Sequence, residues 1–189
     1  MIKLSKAIAG RLRLAARRMA GREDGTATIE FVLFFPLFLT VFMSAFESGL
    51  LMTRQVMLER AMDLSIRNLR LGLWDDPLNP PTVVMLKQEI CDWATVIPDC
   101  MAALMMELRP VSTATWTPLD PNITCINRNE LIQPVVEFNV GVENEMMLVR
   151  ACAVFDPIFP LTGMGLNLPL DPSGGYQLAA TSAFVNEPD

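Results

Sequence analysis

The chain has 189 residues, 51% of them hydrophobic, with 15 Lys/Arg against 21 Asp/Glu and no histidine. That length holds one domain and an appendage, and the missing histidine removes the commonest general base together with the commonest metal ligand. The net charge of −6 hides an asymmetry, because residues 1–25 balance at +5 and the rest of the chain at −11.

Residues 1–25 form a basic head. Lys3, Lys6, Arg11, Arg13, Arg17, Arg18 and Arg22 alternate with Leu, Ile and Ala, with no aromatic residue among them on which a base could stack. Such a stretch reads as amphipathic and membrane-apposed, and nucleic acid is not an expected partner. Behind it, Phe31 to Thr53 carries one charge, Glu47, and Phe31 to Phe46 carries none. About 20 apolar residues cross a bilayer core, so residues 26–53 are expected to span a membrane. Basic residues ahead of the span and few behind it place the N-terminus in the cytoplasm and the remainder in the exported compartment. An ordinary cleavable secretory signal fits poorly, since the best small-residue site, Met43-Ser44-Ala45, puts methionine at −3.

The helical pattern runs past the span. Leu51, Leu58, Met62, Ile66, Leu69 and Leu73 recur on one face, while Arg54, Glu59, Arg60, Asp63, Arg67 and Arg70 line the other. Asp63 and Arg67 are in the favourable i,i+4 order. Gly72 and Asp75-Asp76-Pro77 supply the stop. The spacing therefore predicts a helix over residues 27–73, whose part from 54 to 73 is amphipathic, with Pro36 and Gly49 as candidate kinks.

Residues 74–189 read as the exported α+β domain. Val83, Leu86, Ile90, Trp93, Ala94 and Ile97 predict a short second helix over Thr82 to Ile97, ended by Pro98-Asp99. The period then changes, and Leu104 to Val111, Val135 to Val142, Met146 to Phe155 and Tyr176 to Val185 are β-favoured. Turn residues separate these runs, and the link at Gly141 to Asn144 is short enough for a hairpin. The expected sheet has about four mostly antiparallel strands and covers the amphipathic half of the long helix. Thirteen methionines, mostly inside apolar runs, read as core filling.

Cys91, Cys100, Cys125 and Cys152 all lie in the exported part. An even number in an oxidising compartment predicts disulfides, and their spacing lacks the CxxC pairs of a zinc site. Of the three pairings, Cys91–Cys100 with Cys125–Cys152 is favoured because the first pair brackets a helix end. No catalytic set is apparent. The exported part has a single lysine, Lys87, and neither a Gly-rich phosphate loop nor a Gly-x-Ser-x-Gly elbow. Glu143 and Glu145 flank a turn, where solvated carboxylates are ordinary. Neither an enzymatic role nor a cofactor, metal or small-molecule substrate is expected.

Glu30 stands at the mouth of the apolar run, five residues after Gly25. In the plain reading, the helix dipole favours a carboxylate there. In the sharper one, cleavage after Gly25 frees the α-amino group of Thr26, and Glu30 becomes the fifth residue of the mature chain. Between adjacent chains Glu30 would pair with the next Thr26 amine, offsetting the burial of both charges and fixing the register.

Gly25-Thr26-Ala27-Thr28-Ile29-Glu30-Phe31, behind a basic leader, resembles a bacterial prepilin signal of the Flp/Tad (tight adherence) branch. With Pro36, with Gln55 to Ala61 and with Ala183 to Pro188, the chain resembles the TadE-like minor pilins, or pseudopilins. The resemblance implies a type IV pilin-like α+β fold: a long N-terminal membrane-spanning helix, a short second helix and an about four-stranded antiparallel sheet. It also implies cutting between Gly25 and Thr26 by a prepilin peptidase, with Glu30 and Phe31 as processing and assembly motif. The implied partners are other pilins, the inner-membrane assembly platform and membrane lipid, and the implied role is assembly of a pilus for adhesion and biofilm formation. The alternative is an uncleaved single-pass anchor carrying a periplasmic binding or scaffolding domain, which would keep residues 1–25 and tolerate Glu30→Ala.

Overall fold

The computed structural model describes residues 26–71, 73, 81–115, 120–159 and 170–187. Among them, helix α1 runs Thr26–Arg70, α2 Val83–Trp93 and the single turn α3 Cys100–Ala103; the strands are β1 Leu104–Pro110, β2 Met146–Phe155 and β3 Tyr176–Val185. The chain divides into two compact units at Met43 and Ser44. The described part of the first is residues 26–43, all on α1, and the helix continues through Pro36.

In the second unit the one-sided pattern on α1 becomes a packed face. Leu51, Leu58, Met62, Ile66 and Leu69 are buried in a core shared with α2 and the sheet. Leu73 lies beyond the helix end and is exposed. Asp63 and Arg67 form no ion pair with each other. Thr82 caps α2, its Oγ1 accepting from the Met85 N–H at 3.3 Å, and the helix buries Leu86 and Ile90. It stops at Trp93, and Ala94 and Ile97, buried as expected, lie in the turn that follows.

The sheet has order β1-β2-β3, each pair antiparallel. In β2, Met147, Val149, Ala151, Ala153 and Phe155 face the helices, and the alternate residues face the other way. That other face carries Cys152 and Arg150, and the connection between β1 and β2 lies over it. Cys125 of the connection is disulfide-bonded to Cys152. The Arg150 guanidinium sits 2.5 Å from Glu107 and donates to the carbonyls of Asp120 (2.6 Å) and Asn122 (3.3 Å). Arg109 lies 3.1 Å from the other Glu107 oxygen without hydrogen-bond geometry. The second disulfide joins Cys91 on α2 to Cys100 at the start of α3.

The expected strand over Val135 to Val142 does not form. Leu108 N–H donates to Glu137 O (2.9 Å) and Asn139 N–H to Leu108 O (2.8 Å), a parallel bridge of Leu108 with Phe138 that goes no further. Pro134 offers no donor at one end of the run. At the other, Gly141 (φ +70°) and Asn144 (φ +60°) bend the backbone, so the described sheet has three strands and no hairpin precedes β2. Glu145 serves this bend, accepting from the Val142 N–H at 3.1 Å.

The turn before β3 is fastened by Asp171. It accepts from Gly175 N–H (2.5 Å), Ser173 Oγ (2.6 Å) and Arg128 (3.4 Å). Burial alone would raise its pKa, but the hydrogen bonds from Ser173, Gly175 and Arg128 hold the carboxyl below its ordinary value. A Cβ at Gly175 would meet the Arg128 guanidinium, which would have to shift from its place beside Asp171.

Two outcomes are expected. Leu58, fully buried on α1, should cost about 2–5 kcal/mol when replaced by alanine, read as a fall in the denaturant midpoint of the oxidised protein. The depressed Asp171 carboxyl stabilises the fold above its unfolded pKa, about 3.9, and that contribution is lost as pH falls through the lower folded value. Acid unfolding of Asp171→Asn should therefore lack this part of the pH dependence, while the variant is less stable at neutral pH.

Candidate functional site, the N-terminal helix and its buried carboxylate

Leu, Phe, Val and Met occupy most positions from Phe31 to Phe46, so the first half of α1 has no polar side. Phe31, Leu33, Phe34, Leu37, Phe38 and Val41 are all exposed. Aromatic rings stack along this surface at i,i+4, Phe31 on Phe35 with centroids 4.8 Å apart and Phe38 on Phe42 at 6.2 Å. The Thr40 hydroxyl donates to Leu37 O (2.8 Å), so even this polar group is satisfied within the helix. The α1 segment is long and apolar enough to cross a membrane. Its exposed part, residues 27–46, measures about 30 Å at ~1.5 Å per residue, the thickness of a bilayer's hydrocarbon core.

The next residue, Glu47, is only 2% exposed. Its two oxygens accept the backbone N–H groups of Ile158 and Phe159, both at 3.0 Å. Phe46 beside it meets the Phe159 ring edge-on at 6.2 Å. Seven residues further along the same helix face, Arg54 places its guanidinium 4.5 Å above the Phe155 ring and donates to Val96 O at 3.1 Å. Tyr176 packs edge-on against Phe155 at 6.4 Å; burial, and then the negative charge of Glu47, push its phenol above the ordinary value. The carboxyl group is thus buried and met by donors, as a buried acid must be. It fastens the segment after β2 to the helix.

Glu30 and Phe31 lie on the opening turns of α1, both exposed. Thr26 is the first residue of α1, and Gly25 and the rest of residues 1–25 lie outside the described residues. Glu30 belongs to the first unit and the cysteines to the second. Glu47 was visible in the sequence only as one charge in an apolar run. Its spacing of seven from Arg54 puts both on one helix face, but nothing in the side-chain pattern marks its donors, the Ile158 and Phe159 backbone N–H groups.

These features define a class: an α+β domain with two disulfides whose N-terminal helix begins as a bare apolar segment. Residues 25–67, nearly the whole of α1, match the family model of the TadE-like proteins. The match spans under a quarter of the chain and makes the N-terminal segment TadE-like. No curated protein and no solved structure matches the chain.

Replacing Glu47 by alanine removes this acceptor from the part-buried N–H groups of Ile158 and Phe159, a cost of about 1 kcal/mol for each hydrogen bond lost. The expected outcome is faster amide exchange at Ile158 and Phe159 and lower stability of the α+β unit. Glu47→Gln, which keeps acceptor capacity, should do less damage. Unchanged exchange at both amides in Glu47→Ala would show that the carboxylate does not hold the segment.

Proposed function

We propose that the protein is a minor pilin (pseudopilin) of a Flp/Tad-type pilus, cut after Gly25 by a prepilin peptidase and assembled through its N-terminal helix. The observation that carries this reading is the coincidence of the TadE-like stretch, residues 25–67, with a helix whose opening half is exposed and apolar on every side. Such a surface needs a covering, lipid before assembly and the helices of other pilins after it. Glu30 is the only charge in Thr26 to Phe46. Set among packed apolar helices it would need an opposite charge, and the Thr26 amine freed by cleavage supplies one in a neighbouring subunit.

In this reading the N-terminus starts in the cytoplasm, the helix crosses the inner membrane once, and the α+β unit lies in the periplasm. There the two disulfides form under oxidising conditions. The role is structural, with the peptidase, the assembly platform and other pilins as partners and adhesion and biofilm formation as the outcome.

The N-terminal residue and intact mass of the membrane-extracted protein test this. The expected start is Thr26, shifting to Met1 in Gly25→Val. Glu30→Ala should still be cut but fail to enter sheared pili. A start at Met1 in the unaltered chain would overturn the reading and leave a signal-anchored periplasmic domain.

A further inference from the structure

The connection between β1 and β2 turns three large aliphatic side chains to solvent. Leu131 is 104% exposed, Ile132 85% and Val135 99%. This exposure is built into the loop by one side chain. Gln133 Nε2 donates to the carbonyls of Asn127 (3.0 Å) and Glu130 (2.8 Å), and its Oε1 accepts from the Asn127 N–H (2.9 Å). Single exposed apolar residues are unremarkable, but three held outward on a tied loop mark an interaction site. Exposed Glu130 and Glu137 flank them. The nearest base in sequence, Arg128, is spent on Asp156 at 2.7 Å and on Asp171. A complementary surface must therefore be apolar and carry unpaired cations.

The α+β unit has few such cations. Arg54 lies on Phe155, Arg70 pairs with Glu187, Arg109 and Arg150 share Glu107, and Arg128 is engaged. Among the described residues this leaves Arg60, Arg67 and the half-buried Lys87 without an ion pair. Arg60 and Arg67 are exposed on the face of α1 that also exposes Met52 and Val56. At about 100° per residue the four fall within about 80° of arc. Two acids lie on this side as well. Glu59 accepts from Gln55 at 2.6 Å, and Asp63 stands between the arginines.

We propose that the 130–137 loop of one copy docks on the Met52–Arg67 stripe of α1 in a second copy. Leu131, Ile132 and Val135 cover Met52 and Val56, and Glu130 and Glu137 meet Arg60 and Arg67. The two surfaces differ, so the contact is heterologous and each copy keeps one of the two surfaces for a further copy, the kind of contact from which a filament is built. This deepens the pilin reading and rests on it, adding a contact between exported units to the one between N-terminal helices.

The test uses full-length protein in membranes, with Ile132→Cys in one tagged copy and Val56→Cys in a differently tagged one, joined by a short bis-maleimide. Leu131→Cys with Met52→Cys is a second pair, and all four positions are exposed. The expected product is a mixed dimer bearing both tags, formed only when both cysteines are present. Its yield should fall about tenfold with Arg60→Glu/Arg67→Glu and recover when Glu130→Arg/Glu137→Arg is added to the other copy. Absence of the mixed dimer with both cysteine pairs, a yield indifferent to charge reversal, or dimers formed between two loop-cysteine copies would overturn the proposal. The N-terminal residue is read on the same samples. A Thr26 start without the mixed dimer removes the docking contact and keeps the pilin reading; a Met1 start with it removes processing and keeps the contact.

Discussion

Two backbone N–H groups, those of Ile158 and Phe159, converge on the carboxylate of Glu47, and at this residue α1 changes its surroundings. On the N-terminal side the helix is apolar all round and exposed; on the C-terminal side it buries one face. A carboxylate placed in hydrocarbon is expensive. A chain segment laid against a helix with its amides unpaired is expensive too. Here each relieves the other, and the acid that would spoil a membrane span becomes the point at which the α+β unit takes hold. The hold therefore begins inside the apolar run, well before the polar residues that follow Thr53.

The sheet meets a similar demand at its centre. β2 is covered on both faces, by the helices on one side and the β1–β2 connection on the other, and apart from Arg150 it is built of apolar residues. The guanidinium is satisfied by Glu107 across the strand pair and by two carbonyls of the connection. A charge at the centre of the sheet thus specifies which loop lies over it. Such charge-assisted bonds have directional geometry, so the covering segment is held in one position over the strand.

Much of this was legible in the residues. The heptad-like spacing from Leu51 to Leu69 marked the packed face of α1, and β2 and β3 begin and end where their β-favoured runs do. Val135 to Val142 failed because alternation alone does not supply an edge to pair with. Pro134 and Gly141 confine the run, and it meets β1 only at Leu108. In the candidate site, the exposed opening turns with Glu30 and Phe31 were foreseeable from an unbroken apolar run. The Glu47 contact was not, because its donors come from backbone about 110 residues away, and backbone amides leave no mark in side-chain pattern. The outward Leu131 and Ile132 leave no signal in the sequence for a related reason. Apolar pairs usually read as core, and the bonds of Gln133 to Asn127 and Glu130, which shape the loop that exposes them, join residues the side-chain pattern does not connect.

The covering connection has one covalent tie to the sheet, Cys125 to Cys152. The half-cystine on β2 sits beside Arg150 and between Leu148 and Val154 on the covered face. In a reducing cytosol the bond would not persist, and the cover would be held by Arg150 and the few hydrogen bonds at Leu108 without a covalent tie. Lifting it would bare a hydrophobic strand flanked by two partners, a surface prone to association. Material made recombinantly without export should accordingly associate through this strand as well as through the apolar helix.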